Sequence, residues 1–234
     1  MAGIIKAYPN YSPYAYAICN PVNYIDPDGC RPIYSTMGRL LGTDDNGLQG
    51  DAIIMDSQNF NQGMSEEDAL KYDLGIGGLV DSDAVSSFTD SYNGLSSRPD
   101  WDGYLTLEEA NDWYRDGNGE PLFVSLDKID LSGIVSLGEH SVGESKVVNL
   151  LLFGSGSLND ALVYGQITLK RYPNHSVRAY SDTYNFDMKP WVNPINWGRN
   201  VQTAIGKRVA GAGVQYEINL YGAKRVKPIL PWIK

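Results

Sequence analysis

From Leu122 onward, apolar and polar residues alternate in short runs, each closed by glycine, proline, asparagine or serine. A period of two with such frequent turns is met by strands that bury one face and fold back on their neighbours, so it predicts a mostly antiparallel sheet. Phe123–Leu126, Val147–Phe153 and Val214–Tyr221 read as strands, and Ala161–Arg171 with Ser176–Asp182 reads as a hairpin closed by Tyr172-Pro173-Asn174-His175. In that hairpin Val163, Ile167 and Leu169 share one face, while Tyr164, Gln166, Thr168 and Lys170 share the other. Helices are few. Thr106 with Glu109 forms a capping box that starts one running to about Tyr114, and Asp116-Gly117-Asn118-Gly119 ends it. Asn196 caps another that passes through Trp197 to about Val209 and stops at Gly211-Ala212-Gly213. The expected class is α+β: a mostly antiparallel sheet with a few short helices, preceded by an irregular N-terminal segment.

Three segments follow from the punctuation: residues 1–30, 31–98 and 99–234. The first is dense in tyrosine and broken by Asn20-Pro21 and Asp26-Pro27-Asp28-Gly29, both strong turn sequences. In the second, Gly42–Gly47 is a polar turn and Ala52–Met55 a short strand. A short helix opens at Ser65-Glu66-Glu67-Asp68, and another spans Asp83–Tyr92. An apolar content of 42% with 20% charged residues is that of a globular chain. No apolar run approaches the ~18 residues of a membrane-spanning helix. No basic stretch followed by a long apolar one opens the sequence, so export by a signal peptide is not expected. Two histidines, His140 and His175, and two cysteines, Cys19 and Cys30, exclude most zinc hydrolases and zinc deaminases.

Charge is unevenly spread. Residues 1–146 carry 8 basic and 24 acidic side chains (8 − 24 = −16), and residues 147–234 carry 11 and 4 (11 − 4 = +7), which sum to the net −9. Either the basic part faces an anionic target, or the two parts attract one another.

The run Tyr14-Ala15-Tyr16 followed by Asn20-Pro21-Val22-Asn23-Tyr24-Ile25-Asp26-Pro27-Asp28-Gly29 resembles the terminal motif of the Rhs-repeat-associated core of polymorphic toxins. The resemblance implies that residues 1–30 close a large β-shell and that a variable effector follows, here residues 99–234. Residues 31–98 resemble a connector found between such cores and different effectors. The same resemblance implies delivery by a specialised secretion system and a cognate immunity protein as partner. Some members of that family cleave themselves just after this motif, which here falls near Gly29 or Cys30.

Chemistry concentrates in Asp182-Thr183-Tyr184-Asn185-Phe186-Asp187 and the later Trp197-Gly198-Arg199-Asn200. Asp182 and Asp187 are candidate ligands of a divalent cation such as magnesium, and Arg199 is a candidate clamp for a phosphate. Metal-assisted cleavage of an anionic substrate needs those parts and no histidine ligand. A purely structural reading is also open, with Asp182 a turn residue, Tyr184 and Phe186 core aromatics and Arg199 a surface residue. The stretch resembles the activity domain of colicin-M-like bacteriocins, whose Asp-x-Tyr-Asp motif is matched by Asp182 and Tyr184. That resemblance implies magnesium-dependent cleavage of a lipid-linked pyrophosphate, with Asp182 and Tyr184 in catalytic roles, to which the residue chemistry adds Asp187 and Arg199. Asn185 stands where the second Asp of that motif is expected, and its downstream His-Arg pair is absent. Nucleic acid is the other phosphate-bearing target, and a non-catalytic binding or scaffold module is the alternative class. Asp100, Asp102 and Glu109 also mimic half of a calcium loop, but Arg98 occupies the first ligand position, which favours a plain capped helix.

Overall fold

The computed structural model describes residues 30–132, 141–150, 156–184 and 211–226. The chain divides into two compact units, Met1–Gly103 and Tyr104–Lys234.

In the first unit β1 (Pro32–Ser35) lies between β2 (Leu40–Thr43), antiparallel to it, and β3 (Ile53–Met55), parallel to it. Proline opens β1, a position where its missing N–H costs the ladder little. Every residue of β1 and β3 is buried, and Ile33, Ile53 and Met55 pack with Ala69 of α1 (Glu66–Lys71). Ser65 caps α1, its side chain accepting from the Asp68 N–H. Asp81 caps α2 (Ser82–Gly94) through Oδ1, 2.8 Å from the Ala84 N–H. The aromatic rings of Tyr34, Phe88 and Tyr92 join α2 to β1: Tyr34 meets Phe88 edge-on at 4.9 Å, and Phe88 stacks on Tyr92 at 5.5 Å. Gly38 makes this approach feasible. Its φ is +74°, and a Cβ there would lie 2.2 Å from the Ala84 carbonyl oxygen. The β1–β2 pair was not legible in the sequence, because two four-residue strands with a bulge between Ile33 and Tyr34 leave no sustained alternation.

One carboxylate in this unit is unusual. Asp44, fully buried, follows β2 and accepts the N–H groups of Asn46 at 2.9 Å, Gly47 at 3.2 Å and Arg31 at 3.3 Å, all through Oδ1. Its Oδ2 is buried without a hydrogen-bond partner. Burial pushes the Asp44 pKa up to about 6, against the pull of the three amides.

The second unit begins with α3 (Leu107–Asp116), and the capping box read from the sequence is present in full. The Thr106 side chain accepts from the Glu109 N–H, and the Glu109 carboxylate accepts from the Thr106 N–H at 2.9 Å. Glu109 is therefore a cap, and Asp100 is held in a two-point ion pair by Arg98 at 2.9 and 3.0 Å. Two sheets follow. One has the order β4-β9-β8, with β4 (Leu122–Ser125) parallel to β9 (Tyr216–Tyr221) and β8 (Asp182–Tyr184) antiparallel to it. The other is antiparallel throughout, in the order β10-β7-β6-β5, from β5 (Ser145–Asn149), β6 (Gln166–Tyr172), β7 (Ser176–Ala179) and β10 (Lys224–Arg225). Leu122, Val124, Val148, Ile167, Leu169, Val177, Tyr184, Tyr216, Ile218 and Leu220 form one core with Ala110 and Tyr114 of α3. The class is α+β with antiparallel pairing predominant.

The hairpin differs from expectation at its first arm. Residues 158–164 are a helix, α4 (Leu158–Tyr164), and the strand begins only at Gln166, after Gly165 turns the chain at φ +52°. Ser157 caps α4 by accepting from the Asp160 N–H at 3.2 Å, and Ala161, Val163 and Tyr164 are buried. A Ser-x-x-Asp start overrides the local alternation. Beyond it the reading holds: Ile167 and Leu169 face the core, and Thr168 and Lys170 face away. The turn of Pro173, Asn174 and His175 is present, with Asn174 and His175 both at positive φ and His175 exposed. The expected helix from Asn196 to Val209 lies outside the described residues.

Charge and unit boundary do not coincide. Residues 1–103 hold 5 basic and 15 acidic side chains (5 − 15 = −10), while residues 104–234 hold 14 and 13 (14 − 13 = +1). The change of sign near residue 146 therefore falls inside the second unit, within β5.

Candidate functional site

Of the four candidate residues, Asp182 and Tyr184 are described, and both belong to β8. Asp187 and Arg199 lie outside the described residues. Strand β8 is a continuation of β7: two residues, Tyr180 and Ser181, carry the chain from the four-stranded sheet to the three-stranded one. The crossing is pinned on both sides, by the Tyr180 N–H donating to the Thr168 carbonyl at 3.0 Å and by the Ser181 hydroxyl donating to Asn219 Oδ1 at 2.6 Å.

Asp182 opens β8 opposite Ile218, and Tyr184 closes it opposite Tyr216. As residues i and i+2 they share a face. Tyr184 is buried, stacked on Tyr216 with centroids 5.1 Å apart and edge-on to Tyr114 at 6.3 Å. Its hydroxyl donates to Oδ1 of the buried Asn111 at 2.9 Å. The Tyr216 hydroxyl donates to the Ala110 carbonyl, also at 2.9 Å. Two tyrosines from adjacent strands thus fasten the same turn of α3. Burial pushes the Tyr184 phenol up to about 12, so it is a neutral hydrogen-bond donor at any physiological pH. Asp182 is half-buried at the strand end, and its Oδ1 accepts the N–H of Thr183 at 2.8 Å. The result is a carboxylate near the surface, mounted on a strand whose other end is locked into the core.

A second polar cluster escaped the sequence reading. Asp160 is buried; its Oδ1 accepts the Tyr104 hydroxyl at 3.0 Å, and its Oδ2 accepts the Asp130 N–H at 2.8 Å. Asn159 ties the same corner together, donating to the Tyr104 hydroxyl and the Leu105 carbonyl and accepting from the Leu107 N–H. Hydrogen bonds from the Ser132 side chain and backbone hold the Asp130 carboxyl below its usual range, with help from the Gly156 N–H and Lys224. Lys224 donates to the Asp127 and Ile129 carbonyls at 2.7 and 2.5 Å. Each carboxylate here is spent on holding loops around α4, which makes the cluster a brace. The Ser157-x-x-Asp160 spacing was its one visible sign.

The other titratable candidates are placed simply. Nδ1 of His175 is 3.2 Å from Nη2 of Arg171 in the exposed turn. The Cys30 thiol donates to the Asn46 carbonyl at 3.1 Å, while Cys19 and His140 lie outside the described residues. Among the described residues no group of three or more His, Cys, Asp or Glu side chains could hold a metal ion. No helix among them is long and apolar enough to cross a membrane.

No family model matches the chain, and no curated protein does. Among solved structures it is similar to pectocin M2, at 21% identity and a TM-score of 0.30, over 64% of each chain. It is similar to PaeM, a colicin M-like bacteriocin produced by Pseudomonas aeruginosa, at 21% identity and a TM-score of 0.32, over 52% of this chain and 49% of that one. Truncated syringacin M from Pseudomonas syringae pv. tomato is similar at 17% identity and a TM-score of 0.30, over 60% of this chain and 72% of that one. The chain thus spans less than two thirds of the first two.

Proposed function

We propose that this chain is the terminal part of a delivered toxin, and that its second unit hydrolyses a phosphate-bearing substrate at a site built around Asp182. The observation that carries the reading is the mounting of Asp182: a half-buried carboxylate at the head of β8, two residues from a tyrosine locked to Asn111. A functional carboxylate needs such a rigid base to hold its geometry. Tyr184 serves that base as a positioning residue.

Asp182 supplies the hard oxygen donor that a magnesium-like cation takes, and Asp187, five residues on, is the second expected donor. Among the described residues no group of three or more His, Cys, Asp or Glu side chains could hold the ion, so Asp182 would share it with Asp187 and further donors. A bound divalent cation supplies charge stabilisation at a phosphoryl oxygen and an activated water. Arg199 would hold the anion by paired N–H donors. The substrate class is a lipid-linked pyrophosphate or a nucleic acid. The motif across Tyr14–Gly29 supports placement behind an Rhs core, delivery by a specialised system and a cognate immunity protein as partner.

A binding or scaffold module is the second reading, and the commitment of Tyr184 to packing favours it. One experiment separates the two. The full chain is directed to the periplasm or kept in the cytoplasm of a bacterial host, alongside Asp182→Asn and Asp187→Asn. Toxicity in one compartment, lost in both variants at unchanged melting temperature, is the expected result. Wild-type toxicity kept by both variants establishes the module instead, and harmless expression in both compartments removes the toxin reading.

A further inference from the structure

The four-stranded sheet carries an unusual charge. Strands β5, β6, β7 and β10 contain Lys146, Lys170, Arg171, Arg178, Lys224 and Arg225, and not one aspartate or glutamate. The chain as a whole is net negative at −9, so this sheet runs against its background. Register sorts the cations by face. Lys224 and Arg171 flank the buried Val177 and turn inward, with Lys224 tied to carbonyls. Lys170, Arg178 and Arg225 turn outward together with Ser145, Val147, Thr168, Tyr172 and Ser176.

Lys170 and Arg178 are directly opposite one another on adjacent strands. Like charges so placed weaken a sheet. The same face exposes apolar surface: Val147 is 60% exposed, Tyr180 48% and Tyr172 37%. We propose that this outward face docks the second unit on an anionic lipid bilayer.

Three features select a bilayer over other polyanions. Tyrosines beside basic residues are the composition of the membrane–water interface, where the ring enters the headgroup layer and the cations meet lipid phosphates. A single-stranded nucleic acid would need open ring faces to stack upon. The Tyr172 ring instead has Lys170 Nζ 5.8 Å and Arg178 Cζ 5.9 Å from its centroid, and the Tyr180 hydroxyl is 3.3 Å from Ser145 Oγ. Four strands at ~4.8 Å spacing offer only a few hundred Å² of face, well under the ~800 Å² per partner of a stable protein interface. A bilayer sets no such minimum. The crossing from β7 to β8 then places Asp182 two residues beyond Tyr180, next to the docked face. This inference deepens the hydrolase reading by locating the substrate at a membrane, and it rests on that reading only for the chemistry.

The test is co-sedimentation of the full chain with phosphatidylglycerol/phosphatidylcholine vesicles and with pure phosphatidylcholine vesicles. Wild type is expected to pellet with the anionic vesicles only, and less so as salt is raised. The K170Q/R178Q/R225Q variant loses about a hundredfold in partitioning, from roughly a fivefold step for each of the three cations removed. The charge-conserving K170R/R178K/R225K variant keeps the wild-type level, which separates loss of charge from loss of fold. Equal pelleting with both vesicle types, unchanged pelleting of the glutamine variant, or binding of a labelled oligonucleotide in place of vesicles overturns the proposal. Asp182→Asn is expected to pellet as wild type does, so a failed hydrolase reading leaves this result standing and the reverse holds equally.

Discussion

Replacing Tyr184 with phenylalanine removes one oxygen atom and asks whether that residue works by position or by chemistry. The ring stays stacked on Tyr216, so the packing loss is small. What disappears is the donor 2.9 Å from Asn111 Oδ1, in a corner where both residues are buried. An acceptor left unsatisfied in such a place costs about 1–3 kcal/mol. For a unit of this size that is a fall in melting temperature of roughly 3–12 °C. The assay is urea or thermal denaturation of wild type, Y184F, N111A and the double variant. A coupling energy of about 1 kcal/mol or more is expected, because each single change removes the same bond. The alkaline limb adds a sign that packing alone would not produce. The folded phenol titrates near 12 against an ordinary value of 10.0, so the native state holds its proton longer than the unfolded chain. Stability from this group is complete below pH 10 and lost as pH rises toward 12, and that loss should be absent in Y184F. Wild-type stability in Y184F with no coupling to Asn111 would refute the positioning role. So would abolished activity at an unchanged melting temperature, which would make the hydroxyl a chemical participant.

Two further predictions concern stability. In Asp44→Asn the buried carboxyl is replaced by a neutral group. The wild-type pKa is raised from 3.8 to about 6, so the native state binds the extra proton between those values and stability falls as pH rises through that window, by on the order of 3 kcal/mol. The variant should lose that slope, and identical pH profiles of the two proteins in chemical denaturation would contradict the assignment. Thr106→Ala removes the side-chain half of the capping box and should cost about 1 kcal/mol in the same assay.

The parts of this fold that were legible in the sequence are those fixed by local chemistry. The capping box at Thr106, the start of α1 at Ser65, the turn at His175 and the outward set of Thr168 and Lys170 each depend on residues within a few positions of one another. The alternation of β6 starts at Gln166, five residues later than the sequence pattern suggests, because Ala161, Val163 and Tyr164 satisfy either period until Ser157 caps the chain. What could not be read is pairing across distance. Nothing around Asn111 announces that its amide will meet Tyr184, and nothing in Lys170 or Arg178 announces that they will stand opposite one another. The parallel pairing of β4 with β9 is of the same kind, since about ninety residues separate the two strands. Asp182 was therefore visible as a residue type in a motif, whereas the anchoring of its strand required the fold.

The passage of the chain through Tyr180 and Ser181 sets a strict spacer length. Because β7 and β8 are held in separate ladders on either side of it, one residue more or fewer between Ala179 and Asp182 would leave the first ladder untouched and rotate the second by half a pleat. Asp182 and Tyr184 would exchange places with Thr183, driving the phenol outward and threonine into its slot. Variation in length can be absorbed at the exposed turn of Pro173, Asn174 and His175, but not here: those two residues keep the halves of the unit in phase.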